Sequence, residues 1–349
     1  MKKIAILYDG RPGHLTASKG VLQSFEKLAP TEHAIINVRL RIKFLRRPLR
    51  ALLNRQNLIG RISPAFQNQL IRFCYKLDAD LESIKEFDWI VSTGGDTSFL
   101  NAWLAKIYGV KNIYCSSLRG LAPSLFTWLI STRTTPAEPN EIRLSVSPVP
   151  IDRLEIAEQG RRLRAELHKE TQRLWAVLIG GDGSGYRYDR SSMEKLAAGL
   201  LELAERNHAQ LLITTSRRTG ARLEHVLRAF FAGHPEVAYA SFYNYKPEKV
   251  VTKFLGAAEI IFCTTESSSM LSESMASGKP VYTLIPEVAN PEPRYQTLLQ
   301  EHTEKHHIKP LLLSELPETD VQRDIAEYFQ VLEQDPTSEL AGKLKLKLG

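Results

Sequence analysis

The chain is poor in cysteine, with Cys74, Cys115 and Cys263 as the only three in 349 residues. They lie far apart, lack metal-ligand spacing and sit in apolar company, which argues against a disulfide framework and for reduced core thiols in a cytoplasmic protein. No run approaches the ~18 uninterrupted apolar residues of a spanning helix. Residues 4–7, after Met1-Lys2-Lys3, are too short for the apolar core of a signal peptide and read as a strand. Repeats of fixed period and low-complexity segments are missing too. So are the familiar nucleotide signatures. Gly180-Gly181-Asp182-Gly183-Ser184-Gly185 has neither the Lys-Ser/Thr ending of a P-loop nor a GxGxxG spacing, and the first loop, Asp9 to His14, lacks a third glycine, which disfavours hydride chemistry and P-loop hydrolysis. No His/Asp/Cys cluster suggests a metal, and no cofactor is expected.

What is present is ordinary globular composition, 43% hydrophobic and 24% charged, over a length that suits two cores. Short apolar runs alternate with segments of helical period. "KKIAILYD", "EHAIINVRL", "FDWIVSTGGD", "VKNIYCSS" and "FTWLISTR" read as strands, with helices at "HLTASKGVLQSFEKL" and "TSFLNAWLAKIYG". Residues 134–150 are rich in proline and lack a period, so a domain boundary is placed near 150. The pattern then restarts at "RLWAVLIGGDGSGY" and closes on "KPVYTLIPE" as its last strand. The expectation is an α/β fold of two Rossmann-like, doubly wound parallel-sheet domains facing a cleft, 1–150 and 151–318. A closing helix and a mobile basic tail, "LAGKLKLKLG", are expected to fill 319–349.

Ligands of open parallel sheets bind outside the carboxyl ends of the strands, where helix N–H groups favour anions. Five such loops here are built of glycine, hydroxyls and arginine: those at 9–14, 92–98, 180–185, 214–219 and 264–269. Turn-making and helix-capping explain any one of them; five on the same sheet edges also suit phosphate. After the apolar "IIFC", Ser267 to Ser269 are read as capping a helix, and Glu273 stands four residues past Ser269 on the same helical face. A pyrophosphate at the helix start with a ribose diol accepted by Glu273 is the arrangement these residues suggest. The plain alternative is a cap and a solvated charge.

"DGRPGH", "LIGGDGSGYRYD", "TTSRRT" and "TTESSSMLSESMASGKPVY" resemble, in this order and over nearly the whole chain, the ELM-type mitochondrial fission protein family. The resemblance implies a GT-B fold with a nucleoside-diphosphate-sugar donor held mainly by the second domain. It points to Gly180, Gly181, Ser216, Arg217, Arg218, Thr219, Ser267, Ser269, Met270 and Glu273 for the donor, with Gly13 and His14 at the interdomain cleft. The chain departs from the family where Gly181-Asp182 replaces Gly-Gly-Pro and Thr265-Glu266-Ser267 replaces Ala-Asp-Ser, with Asp182 adding negative charge near the expected phosphate and Glu266 keeping a carboxylate there. Sugar transfer needs a base for the acceptor hydroxyl and positive charge for the departing diphosphate. His14, a side chain of near-neutral ordinary pKa, is the first candidate base and Asp96 the second. Arg217 and Arg218 would neutralise the leaving group.

The basic excess, +7 overall, is concentrated in residues 37–77. That stretch has no acidic residue, and its cations, Arg41, Lys43, Arg46, Arg47 and Arg50 among them, alternate with apolar residues. Such a segment suits peripheral contact with an anionic bilayer, on the inner face of a cytoplasmic membrane, and a lipid-linked or cell-envelope acceptor. A solvated basic hairpin is the plain reading. Nucleic acid is disfavoured by the scarcity of aromatics and the lack of a binding motif. A catalytically silent scaffold in membrane organisation and a sugar-nucleotide epimerase are the rival functions. No feature sets an oligomeric state.

Overall fold

The computed structural model describes residues 1–55, 59–132 and 138–348; Thr134, where the expected boundary segment begins, lies outside them. The chain forms two compact units, one of Met1–Pro150 with the C-terminal segment from Pro336, the other Ile151–Asp335.

In the first unit β1 (Lys2–Tyr8), α1 (Pro12–Glu26), β2 (Thr31–Leu40), α2 (Arg46–Asn54), α3 (Pro64–Cys74), β3 (Tyr75–Leu77) and β4 (Trp89–Thr93) are followed by α4 (Thr97–Tyr108), β5 (Lys111–Cys115), β6 (Trp128–Ser131) and β7 (Glu141–Arg143). The sheet order is β3-β2-β1-β4-β5-β6-β7, parallel except where β3 runs against β2. Strand β1 shows why both faces are covered. Ile4 and Ile6 enter one core cluster with Val21 and Phe25 of α1, whereas Ala5 and Leu7 enter the other with Leu100 and Trp103 of α4, as the two-residue period of a strand requires.

The second unit contains α5 (Arg153–Glu166), β8 (Arg173–Ile179), α6 (Arg190–Arg206), β9 (Ala209–Thr215), α7 (Gly220–Phe231), β10 (Val237–Ser241), α8 (Val251–Ala257) and β11 (Ile260–Thr264). It continues with α9 (Ser268–Ala276), β12 (Val281–Ile285), α10 (Pro293–Glu304), β13 (Lys309–Leu312) and α11 (Val321–Glu327). Its sheet is parallel throughout, ordered β10-β9-β8-β11-β12-β13. Leu174, Trp175, Ala176, Val177, Leu178 and Ile179 are wholly buried, the continuous apolar run of a strand covered on both faces. Both sheets reverse strand order between their first and fourth strands, at β1/β4 and β8/β11, the place where open parallel sheets bind their ligands.

The proline-rich stretch before residue 150 carries β7 and buries Ile142, Leu144, Val146 and Val149, so it belongs to the first core, and the first unit's main segment ends at Pro150. Two expectations need correction. "KPVYTLIPE" is not the last strand, because β13 pairs beyond it. Pro310 interrupts the signal there, but β13 lies at the sheet edge, where a missing N–H is tolerated. The residues from 319 on do not form one closing segment: α11 stays with the second unit, and the basic tail is a helix, α12 (Pro336–Leu348). Leu340 and Leu344, spaced i,i+4, are fully buried in the cluster of Val21 and Phe25, and Lys347 lies 4.4 Å over the Trp128 ring.

Leu340→Ala or Leu344→Ala should therefore destabilise the first unit by about 2–5 kcal/mol in urea denaturation. A mobile tail would give a change within about 0.5 kcal/mol.

Candidate functional site

At the switch point of the second sheet the loops after β8, β9 and β11 converge on one carboxylate. The Glu266 side chain is completely inaccessible to solvent. Its Oε1 accepts from the Gly181 N–H at 3.0 Å and from Arg218 Nη2 at 3.2 Å, while Oε2 has no partner among the described residues. Burial raises the Glu266 pKa to about 7, against the lowering effect of the Gly181 N–H, the Arg218 charge and the Thr264 hydroxyl. Thr264 also accepts from the Gly180 N–H at 2.7 Å, and Ser184 Oγ donates to the Glu266 carbonyl at 3.2 Å.

Gly180 and Gly181 were expected to bring backbone close to a phosphate. The chain itself fills that space. A Cβ on Gly180 would fall 1.6 Å from Glu266 Oε1, and one on Gly181 2.1 Å from the Arg218 carbonyl oxygen. Their smallness lets neighbouring loops pack.

The "TSRRT" turn is pinned from beneath. Thr219 is buried, and its hydroxyl donates to the carbonyls of Ile179 (3.1 Å) and Gly180 (2.5 Å), while accepting from the Ser216 N–H at 3.0 Å. Ser216 Oγ in turn accepts from the Arg218 N–H at 3.1 Å. Arg217 and Arg218 are left exposed at the rim. The buried Glu224 of α7 locks the next loop, accepting from Thr215 Oγ1 at 2.5 Å and from the Asn244 N–H and Nδ2.

Helix α9 then begins bare. Ser267 occupies its N-cap in extended backbone but makes no side-chain cap hydrogen bond, so the hydroxyl capping expected of this run is not formed. The first amide donors of the helix lack that side-chain partner. Ser269 and Met270 are half-exposed; the Met270 carbonyl accepts from Ser274 Oγ at 2.8 Å. Glu273, one turn further along, is also half-buried, and among the described residues nothing donates to its carboxylate. Desolvation lifts its pKa to about 7. Asp182 accepts from the Tyr188 N–H at 3.0 Å.

The switch point of the first sheet is built differently. Gly13 and His14 lie in the first turn of α1 rather than in a loop. His14 Nδ1 faces both Asp9 oxygens, at 2.9 and 3.0 Å. Burial pushes the Asp9 carboxyl up, but the His14 hydrogen bond and charge, the Arg11 N–H and the Arg11 charge outweigh it and hold the pKa below its ordinary value. The imidazole lies over Gly94, where a Cβ would meet Nε2 at 2.4 Å; Gly94 and Gly95 have φ of +64° and +60°, a left-handed pair suited to glycine. Sequence reasoning missed Asp9, although a carboxylate at a strand end five residues before a histidine was the available signal. Asp96 is held by Arg46 through a two-pronged pair at 2.6 and 2.8 Å. Arg46 is thus committed to Asp96. Arg50 packs its side chain over Gly120, and Arg41, Lys43 and Arg47 are exposed.

Taken with its two Rossmann-type sheets, the chain has the GT-B architecture. It is similar in fold to the UDP-GlcNAc 2-epimerase of Neisseria meningitidis bound to UDP-GlcNAc, at a TM-score of 0.56 and 11% identity over 100% of this chain and 99% of that chain. The Methanocaldococcus jannaschii UDP-GlcNAc 2-epimerase in complex with UDP-GlcNAc and UDP gives 0.53 and 14%, over 99% of each chain. The UDP co-structure of S. aureus MnaA gives 0.54 and 13%, over 99% of this chain and 95% of that chain. No curated protein matches the sequence at a significant level. The chain belongs to the mitochondrial fission ELM1 family, whose model it matches over residues 12–327.

The buried carboxylate makes stability depend on pH. Glu266 binds its proton more tightly folded than unfolded, so the unfolded chain releases it first as pH rises from 4.5 to about 7. Stability falls across that window, by on the order of 3 kcal/mol for Glu266. Glu266→Gln should flatten the decline between pH 5 and 8 in thermal melts, whereas an unchanged slope would mean that Glu266 ionises freely.

Proposed function

We propose that the second unit binds a nucleoside-diphosphate sugar and that the chain transfers the sugar to a lipid-linked or cell-envelope acceptor at a membrane surface. The observation that carries this reading is Glu273, a half-buried carboxylate without a donor, one turn into a helix that starts without a side-chain cap. Paired ribose hydroxyls supply the donors that such a carboxylate lacks, and a diphosphate suits the amide donors of α9 beside Arg217 and Arg218. As the bond from the anomeric carbon to the diphosphate breaks, the charge left on the leaving oxygen falls on those guanidinium groups and helix amides.

His14 supplies the base in this reading. Asp9 on Nδ1 fixes the tautomer that leaves Nε2 free to take the acceptor's proton. Asp96, tied to Arg46, is given no catalytic part. The scheme calls on no cofactor. The acceptor class is supported by the uninterrupted basic composition of residues 37–77. Epimerisation of the same donor is the second reading, favoured by the solved neighbours that hold UDP-GlcNAc.

Glu273→Ala should weaken UDP-sugar binding about tenfold or more by isothermal titration, as expected for losing hydrogen bonds to a charged acceptor. Unchanged affinity would remove the ribose assignment. Incubation with UDP-GlcNAc alone separates the two activities, because an epimerase turns over without an acceptor and a transferase does not.

A further inference from the structure

The apolar side chains of the basic segment divide into two sets. Leu49 and Leu53 of α2 and Ile59 turn inward and are buried in the first core, so α2 has no apolar face to offer a bilayer. Ile42, Phe44, Phe66 and Phe73 turn outward, at 52%, 91%, 53% and 66% exposure. Three of the four gather at one margin of the unit. The Arg41 N–H donates to the Cys74 carbonyl at 2.9 Å and Arg41 Nε to the Arg72 carbonyl at 3.2 Å, extending the antiparallel register of Leu40 with Tyr75. The chain carrying Ile42 and Phe44 therefore runs beside the last turn of α3, which carries Phe73. Phe66 precedes Phe73 by seven residues, two turns along the same helical face.

The charge at this margin is mainly positive, with Asp80 paired to Arg72 and Asp78 hydrogen-bonded to Asn37. Lys43, Arg47, Arg61 and Lys76 are exposed, and none has a carboxylate partner among the described residues. Among the described residues, Arg46 and Arg72 are the two cations of the segment with ion pairs, to Asp96 and Asp80. Bulky aromatics this exposed are unfavourable in water unless something covers them, and the cover must also accept a field of unpaired cations. An anionic bilayer meets both demands, with acyl chains for the rings and headgroup phosphates for Lys43 and Arg47.

We infer that the Ile42/Phe44/Phe73 margin, ringed by Lys43, Arg47 and Lys76, docks the first unit on an anionic phospholipid surface, Phe44 reaching into the acyl boundary. This deepens the acceptor reading above and rests on it for the choice of a bilayer over another polyanion. The test is flotation of the full chain with phosphatidylcholine vesicles that contain or lack phosphatidylglycerol. The wild-type chain should float with the anionic vesicles alone and be released by high salt. Phe44→Ser with Phe73→Ser should weaken association at least tenfold, and Lys43→Glu with Arg47→Glu more than twentyfold, at about fivefold per cation removed. These positions are exposed, and unchanged melting and unchanged UDP binding would confirm intact variants. Absence of flotation, equal binding to neutral vesicles, or full binding by both variants would overturn the inference. So would tight binding to single- or double-stranded DNA that the same variants abolish while vesicles are ignored. Vesicle binding by a wild-type chain that fails to bind UDP upholds the surface and removes the donor reading alone.

Discussion

The carboxylate of Glu266 has been taken entirely out of water at the end of the second sheet, and much of the site geometry follows from that. A buried carboxylate is tolerated when donors replace its hydration, and here they come from two other loops, the Gly181 N–H after β8 and Arg218 after β9. To deliver them, the β8 loop must lie against Glu266 so closely that no side chain fits at residue 180, and against the Arg218 carbonyl so closely that none fits at 181. Thr219, hydrogen-bonded to the same β8 carbonyls, fixes the remaining side of the triangle. Three loops are thereby held in one arrangement by an anion that belongs to the protein. The start of α9 follows Glu266 directly and carries no side-chain cap.

The first sheet applies the same topology to different chemistry. Its switch point is crossed by Asp9 and His14 from one loop and helix start and by Gly94 and Gly95 from the other, with the ring lying over the glycine backbone. The cationic partner of Asp96 is already supplied by α2. Ionisable groups at this switch point are therefore committed to one another, Asp9 to His14 and Asp96 to Arg46. At the second switch point the uncommitted groups are of the opposite kind: amide donors, a guanidinium and one acceptor carboxylate.

Much of this was legible in the sequence, for reasons that also mark where legibility ends. Apolar runs such as 174–179, covered on both faces, announce parallel strands, and their alternation with amphipathic helices leaves few topologies open. Strands of three or four residues, β3, β7 and β13, carry too little pattern, and Pro310 argues against a strand unless the edge position is known. The Lys/Leu alternation of the C-terminal segment hides a stripe at i,i+4, because the partner that buries Leu340 and Leu344 is α1, more than 300 residues away in sequence. At the site, the loops that matter could be named from their position after strands. Which residue of a loop faces a ligand and which faces another loop could not, since that depends on distances between segments 40 to 85 residues apart. Gly180 and Gly181 show the consequence: their composition suits phosphate, and their surroundings are protein.

The buried carboxylate of Glu266 has a definite electrostatic meaning. A negative charge beside an anion site ordinarily opposes the anion. Here the charge is masked in two ways, by Arg218 on one oxygen and by burial that favours the protonated form up to about pH 7. Arg218 is consequently shared. With Glu266 ionised, part of the guanidinium field is spent inside the protein; with Glu266 neutral, it is directed outward from a side chain that is 40% exposed. An anion arriving beside Arg218 would raise the cost of ionising Glu266, and by linkage its binding would draw a proton onto the carboxylate. Glu273 is biased in the same direction by desolvation. Burial thus biases both carboxylates toward the protonated form, and the loops around them are fastened by one of the two.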